Sequence, residues 1–315
     1  MKKYLFVALL LALALLAPFQ IYPVFLMQAL CFALFACAFN LLIGYVGLLS
    51  FGHAAYFGSA AYITAYVLKA WHWPTLVGLL AGTAVAALMG LVFGALAIRR
   101  QGIYFAMITL ALSQMVYFFA LQAKFTGGED GIQAVPRHPL IGQLAIDSDF
   151  VLYYVVLAIF LFGLFVIYRT IHSPFGQVLK AIRENEPRAI SLGYEVDRYK
   201  LVAFVLSATL AGLAGSTKVL VVQLASLTDV QWQMSGEVVL MTLVGGLGTV
   251  LGPVAGAFIV TTMQYYLSQF AWIGEWVLVI QGVIFVIVVL LFRRGIVGEL
   301  AGWWQRRSVR PAAAE

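Results

Sequence analysis

The stretch from Tyr4 to Leu68 contains no aspartate, glutamate, lysine or arginine. A membrane-spanning helix needs about 20 apolar residues, so a run of this length must cross an apolar layer more than once. Pro18 and Pro23 predict the first reversal, and the Gly44–Gly47 stretch predicts the second, because proline and glycine interrupt regular helix. The stretch therefore predicts three membrane helices, near residues 4–21, 25–43 and 54–69.

The rest of the chain follows the same pattern. Charged residues make up 10% of the 315 residues and apolar types make up 63%, whereas a soluble domain carries about 25% charged residues. This composition excludes a soluble enzyme and a disordered chain. We predict an all-α polytopic membrane protein with about ten transmembrane segments. The later segments lie near 75–98, 102–122, 151–168, 201–223, two within 238–274, and 276–292.

The basic residues predict the orientation. If the N-terminus is cytoplasmic, 15 of the 19 lysines and arginines lie on the cytoplasmic side, while Lys69, Lys124 and Arg137 lie outside and Lys218 sits at a span end. Basic residues accumulate on the cytoplasmic side of membrane proteins, so both termini are predicted to be cytoplasmic. Orientation thus explains the net charge of +6 without a nucleic-acid partner.

These segments predict a single transmembrane domain over residues 1–295. A periplasmic loop is expected at about 123–149 and a cytoplasmic loop at about 170–200, and a basic cytoplasmic tail at 296–315 follows. The start of the chain also resembles a signal peptide, whose removal would leave nine segments. Because Leu15–Ala17 is a poor cleavage site, a retained first helix is favoured.

The sequence of the cytoplasmic loop predicts that it contains two short helices. Ser173 and Pro174 suit an N-cap and a first helical position, Pro187 separates the two helices, and Gly193 suits the C-terminal end of the second. An apolar stripe runs along the first helix, formed by Phe175, Val178, Leu179 and Ile182. The charges on the loop are mixed, which favours docking against a protein; the alternative is an amphipathic linker on the lipid surface.

Two glycine-rich segments interrupt the apolar pattern, one around Asn40–His53 and one around Gly245–Gly256. Paired broken segments are typical of transporters, and close packing of helices through small residues is the alternative interpretation. The candidate pathway or packing residues are Asn40, Gly44, Gly47, Ser50, Gly52, His53, Gly245, Gly246 and Gly248.

Other polar residues in or near the spans are expected to be satisfied structurally. Lys218 and Glu237 lie toward the outer side, where a side chain can snorkel to water without any function. The sequence contains no P-loop and no catalytic or metal-binding motif, which predicts a protein without enzymatic activity and without a cofactor.

Four motifs together resemble one family. The run FNLLIGYVGLLSFGHAAYFGSAAY at 39–62 resembles the first signature of bacterial branched-chain amino acid ABC transporter permeases. The runs GIYFAMITLA at 102–111 and TGGEDGI at 126–132 are similar to the LivM branch of this family. The segment 176–193 is similar to its cytoplasmic coupling loop, and 243–256 to its late glycine-rich signature.

The resemblance covers about residues 25–295 and implies which residues couple to the ATPases. These are Phe175, Gly176, Ala181, Ile182, Arg183, Glu184, Asn185, Glu186, Ala189 and Gly193. The loop departs from the Glu-Ala-Ala consensus of many importer permeases, which Glu186, Ala189 and Gly193 only approximate. The location of the coupling surface is therefore better defined than its individual contacts.

The resemblance implies a permease subunit of a multi-subunit importer in a bacterial inner membrane. Its partners would be a LivH-like permease, LivG-like and LivF-like ATPases, a periplasmic substrate-binding protein and membrane lipid. Branched-chain amino acids are the first expectation for the substrate, and relatives that import urea, amides or aromatic acids provide the alternatives. An ion-coupled secondary transporter is the competing class, and it would require a coupling carboxylate inside the membrane.

Overall fold

The computed structural model describes residues 11–140, 146, 148–269, 277–291 and 295–299. Residues 11–16 are helical and lead into a 3₁₀ turn at Ala17–Phe19. The helices that follow are α1 (Pro23–Tyr45), α2 (His53–Ala70), α3 (Thr75–Ala97), α4 (Ile103–Gln122), α5 (Asp149–Ile171), α6 (Pro174–Glu184), α7 (Glu186–Ser191), α8 (Val196–Val222), α9 (Trp232–Gly245), α10 (Gly252–Ser268) and α11 (Val277–Leu291). Among the described residues the strand-like pairing is one isolated bridge between Ile132 and Ala225.

The prediction of an all-α polytopic membrane protein is confirmed. Five helices within the described ranges, namely α1, α3, α4, α5 and α8, are long and apolar enough to cross a membrane. The predicted division of 238–274 is found as the break between α9 and α10. The beginning of the first predicted span, at 4–10, lies outside the described residues, as does the tail beyond residue 299. The number of spans and their orientation stay predictions.

Helices α1 and α8 form the centre of the bundle. Helix α1 packs against α5, α8 and α10, and α8 also packs against α2 and α3. Helix α1 is apolar on all sides and 83% of its most apolar stretch is buried, which is the pattern of a helix surrounded by other helices. Small residues allow this close contact: a Cβ on Gly215 of α8 would lie 2.0 Å from the Phe57 carbonyl oxygen of α2. The apolar sequence thus forms a core with few polar atoms to satisfy.

Two arginines mark the opposite ends of the bundle. Arg137 donates to the Leu220 and Val221 carbonyl oxygens at the end of α8, at 2.9 and 3.1 Å, and to Asp149 at 2.8 Å. Arg183 of α6 donates to the carbonyl oxygen of Gly44 near the end of α1. We call these the Arg137 end and the Arg183 end.

One expectation about Lys218 is wrong. Its side chain is only 12% exposed and does not snorkel, because its ammonium group lies 2.5 Å from the Asp229 carboxylate. Asp229 lies in the 3₁₀ turn Leu227–Asp229, immediately before α9. Pairing with a buried carboxylate removes the need for the ammonium group to reach water.

Candidate functional site

The two glycine-rich turns predicted from the sequence meet at the Arg183 end. One turn joins α1 to α2 and the other joins α9 to α10. Asn40 of α1, which is 2% exposed, bridges them. Its Oδ1 accepts a hydrogen bond from the Gly248 amide at 3.0 Å, and its Nδ2 donates to the Thr249 carbonyl oxygen at 2.8 Å. We call Asn40, Gly44, Gly47, Gly248 and Thr249 the turn junction.

Glycine is required at the turn junction for two reasons. Gly47 and Gly248 have φ angles of 84° and 73°, a region that residues with a Cβ rarely adopt. A Cβ on Gly44 would lie 2.3 Å from Asn40 Oδ1 and 2.8 Å from the Gly248 amide nitrogen. A larger residue at position 44 would therefore force the two turns apart.

Arg183 connects α6 to the turn junction. Its Nη1 donates to the Gly44 carbonyl oxygen, and its side chain crosses both turns. The Cβ positions of Gly47 and Gly248 would lie 3.2 Å from Arg183 Cγ and 3.3 Å from Arg183 Nη1 respectively. One side chain of α6 therefore lies against both breaks in the bundle.

The local sequence explains why α6 forms. Ser173 Oγ accepts a hydrogen bond from the Gly176 amide at 3.3 Å, which caps the helix with Pro174 in its first turn. The predicted apolar stripe faces inward: Leu179 and Ile182 are 1% and 3% exposed. Phe175 stacks on Tyr199 of α8 with ring centroids 5.6 Å apart. These contacts hold α6 against the bundle.

Helix α7 is held by a second set of contacts. Asn185 Oδ1 caps it by accepting from the Arg188 amide at 3.0 Å, and Ala189 packs with Ile182 in a small apolar cluster. The Glu186 carboxylate accepts from Lys200 at 2.6 Å and from Gln101 at 2.8 Å. Glu186 Oε1, like Arg183 Nη1, is therefore bonded within this chain.

The outward face of the helix pair is free of such contacts within the described residues. Ala181 and Glu184 are exposed there, and Gly193 follows α7 with a φ angle of 86°. A groove of about 590 Å³ opens on this face. Its lining residues are His172, Ser173, Pro174, Gln177, Val178, Ala181 and Tyr194. The groove and the exposed α6 positions thus lie on the side of α6 that faces away from the bundle.

The remaining pathway or packing residues occupy packing positions. His53 is fully buried, with Nε2 2.8 Å from the Ser207 hydroxyl, and Ser207 donates to the Ala38 carbonyl oxygen at 2.6 Å. Ser50 Oγ accepts from the Gly52 amide at 3.2 Å. These bonds join α1, the first turn, α2 and α8.

The second glycine-rich segment is packed as closely. A Cβ on Gly245 would lie 1.9 Å from the Gly252 carbonyl oxygen. Gly246, which follows α9, has a φ angle of 120°. Both glycines therefore allow α9 to turn directly into α10.

One set of polar contacts between helices could not be predicted from the sequence. Near the Arg137 end, Lys218 of α8 forms an ion pair with Asp229, which lies in the turn before α9. Gln264 of α10 donates a hydrogen bond to Gln281 of α11 at 3.4 Å. The sequence showed only that polar residues occur inside apolar segments. It could not show which of them are partners, because the partners come from separate helices.

The fold and the site define a polytopic α-helical membrane protein with two broken segments joined at one end. The sequence profile described as "Branched-chain amino acid transport system / permease component" matches residues 22–289. The chain therefore belongs to this family of transport permeases. No solved structure matches it.

Several characterised proteins are similar to this chain. It is 28% identical to the high-affinity branched-chain amino acid transport system permease protein LivM of Escherichia coli, over 94% of this chain and 75% of that protein. It is 27% identical to LivM of Salmonella typhimurium, over 82% of this chain and 65% of that protein. It is also 28% identical to the autoinducer 2 import system permease protein LsrC of Klebsiella pneumoniae, over 64% of this chain and 60% of that protein.

Proposed function

We propose that this chain is one of two permease subunits of an ATP-driven importer of branched-chain amino acids. The match of the family profile to residues 22–289 carries the proposal. Similarity to the two LivM proteins over most of the chain supports the substrate class. The second permease subunit would be LivH-like, and a periplasmic binding protein would deliver the substrate.

The proposed topology has ten segments in the bacterial inner membrane, with both termini in the cytoplasm. Residues 1–295 would form the permease domain and 296–315 a cytoplasmic tail. The Arg183 end would face the cytoplasm and the Arg137 end the periplasm. The distribution of basic residues supports this orientation, because 15 of 19 lie on the proposed cytoplasmic side.

ATP hydrolysis belongs to LivG-like and LivF-like partners in this proposal, since the sequence contains no P-loop. These ATPases would dock on the outward face of α6 and α7. The exposed Ala181 and Glu184 and the neighbouring groove support this assignment. Arg183 would then transmit the movement of α6 to the turn junction.

The experiment is reconstitution of the four membrane-complex subunits in liposomes with the loaded binding protein. We expect ATP-dependent leucine uptake, and no ATP hydrolysis by the purified chain alone. Uptake that follows an ion gradient without ATP would instead identify a secondary transporter.

Two substitutions test the docking surface. Ala181→Trp fills the exposed groove without touching the core, and Ile182→Pro breaks α6 at a cost of about 3 kcal/mol. Both should release the ATPases or uncouple hydrolysis from uptake. Ala95→Trp makes the same substitution at an exposed position of α3 and should behave like the unmodified chain. Full association and transport by both α6 variants would mean that the segment is only a linker.

A second substrate class has support from the similarity to LsrC. Members of the wider group therefore carry names that refer to different cargo. The same liposome assay, run with leucine, autoinducer 2, urea, a short amide and an aromatic acid, each on its own binding protein, separates these alternatives. Uptake of one of the others, but not of leucine, would retain the importer and change its substrate.

A further inference from the structure

The groove on the outward face of α6 has walls made of rings. The aromatic rings of His172 and Tyr194 and the ring of Pro174 line it, and its volume is about 590 Å³. The His172 ring lies against Tyr168 with ring centroids 4.1 Å apart, and Tyr194 meets Tyr199 edge to face at 6.1 Å. Aromatic rings stack or meet edge to face, so these walls suit a flat aromatic side chain.

A carboxylate lies beside the groove. Glu184 follows Ala181 by three positions on α6, so the two residues share one face of the helix, and Ala181 lines the groove. The Glu184 side chain is exposed, and among the described residues no ion pair joins it to a cation. The outward face of α6 therefore combines an apolar groove with an unpaired negative charge. An occupant that carries both aromatic and basic groups fits this face.

The chain itself contains a segment with this chemistry. Residues 300–315, which we call the tail, follow the described part of the chain and include the run WWQRR at 303–307. Trp303 and Trp304 supply two indole rings, and Arg306 and Arg307 supply positive charge directly after them. This order of rings and then charges matches a groove that runs along α6 toward a carboxylate.

The described chain ends close to α6. Gly295 lies against the turn between α9 and α10, because a Cβ on it would lie 2.5 Å from the Gly246 amide nitrogen. Two positions further along the same turn, a Cβ on Gly248 would lie 3.3 Å from Arg183 Nη1. The helical residues 295–299 therefore begin at the Arg183 end, next to the helix that carries the groove.

The tail is long enough to pass around α6. An extended chain covers about 3.4 Å per residue, so residues 300–304 span about 17 Å. The groove lies on the side of α6 that faces away from the bundle, and an α-helix with its side chains is about 10–12 Å across. The two tryptophans can therefore reach the far side of α6 from the place where the described chain ends.

We infer that the tail folds back onto α6, with Trp303 and Trp304 in the groove and Arg306 and Arg307 beside Glu184. The inference rests on the proposed function, in which the ATPases dock on the same face of α6. The tail competes with them there, so a permease without ATPases keeps its docking surface covered. Ion pairs with an exposed carboxylate are individually weak, so the buried tryptophans provide most of the anchoring.

A disulfide cross-link tests the position of the tail in the permease pair without ATPases. Gln177→Cys places a thiol on the exposed lining of the groove, and Gln305→Cys places one between the tryptophans and the arginines of the tail. The native Cys31 and Cys37 are buried and do not compete. We expect the disulfide to form on mild oxidation and to be lost when Trp303 and Trp304 are both changed to alanine.

The matched control combines Gln305→Cys with Arg100→Cys, which is exposed at the same end of the bundle. Its neighbour Gln101 bonds to Glu186 of α7, so the control position lies near the helix pair but outside the groove. We expect little disulfide from this pair. Equal yields from positions 177 and 100, as for a tail that lies on the lipid surface, would overturn the inference. A yield at position 177 that does not depend on the two tryptophans would overturn it as well.

Titration with the purified ATPases tests the competition. The ATPases should suppress the disulfide between positions 177 and 305. The double variant Trp303→Ala/Trp304→Ala should bind them about tenfold more tightly than the wild type, because a surface that is free about one-tenth of the time binds with about one-tenth of its intrinsic affinity. If the ATPases bind neither the wild type nor the double variant, the proposed docking surface is wrong and the competition fails with it. If they bind both equally well, only the role of the tail is wrong.

Discussion

The Asn40 side chain and the Gly248 amide are joined by a hydrogen bond of 3.0 Å, although they lie 208 positions apart in the chain. The same amide of Asn40 also donates to Thr249. A single side chain therefore joins the break between α1 and α2 to the break between α9 and α10. The two breaks are therefore held together by hydrogen bonds, and Arg183 donates a further hydrogen bond to Gly44 at the same place.

Asn40→Ala should destabilise the protein by about 1–3 kcal/mol, because it leaves the partly buried Gly248 amide and Thr249 carbonyl oxygen without this partner. Chemical unfolding of the purified chain in mixed micelles measures the change. Gln233→Ala removes an amide of similar chemistry from an exposed position and should have little effect. An unfolding free energy for Asn40→Ala that equals the wild-type value would contradict a supporting role for the turn junction.

Gly256→Ala and Gly236→Ala make a matched pair. A Cβ on Gly256 would lie 1.8 Å from the Met241 carbonyl oxygen, whereas a Cβ on Gly236 would meet nothing within 4 Å. Overpacking costs about 1–3 kcal/mol, so Gly256→Ala should unfold at a lower temperature. Gly236→Ala should be neutral or slightly stabilising, since alanine favours helix. Identical melting temperatures for the two variants would show that α9 and α10 separate easily.

Arg137→Lys should weaken the Arg137 end although it keeps the positive charge. The arginine donates to two carbonyl oxygens and to Asp149 at the same time, and lysine cannot reproduce this planar geometry. We expect faster amide hydrogen exchange at the end of α8 and a loss of at least about 1.5 kcal/mol in stability. Lys124→Arg, at an exposed position, is the control and should leave exchange unchanged. Wild-type exchange rates in Arg137→Lys would show that these bonds do not hold α8.

The proposed topology can be read with reporter fusions. A fusion after Gln133 should report the periplasm and a fusion after Asn185 the cytoplasm, because Arg137 and Arg183 mark opposite ends of the bundle. Alkaline phosphatase and a green fluorescent protein give opposite signals in the two compartments. Fusions that report the same side would refute the ten-segment topology.

Local features of the sequence predicted much of the helix pair α6–α7. Ser173, Leu179, Ile182 and Gly193 act through neighbours within a turn or through the helical repeat, so their roles are visible in the sequence. The long apolar runs predicted the membrane helices for the same reason. Glycines predicted the two breaks but did not predict that the breaks meet.

The sequence by itself determined the class of fold, the places where the helices break and the cap of α6. Only the tertiary structure decided which polar groups are partners. Arg183 reaches Gly44 across 139 positions, and Glu186 reaches Gln101 across 85, so each has a partner that no local pattern could indicate. Lys218 likewise pairs with Asp229, which lies 11 positions later in a turn outside its helix. Periodicity records which face of a helix is apolar, but the neighbour of that face depends on how all the helices pack.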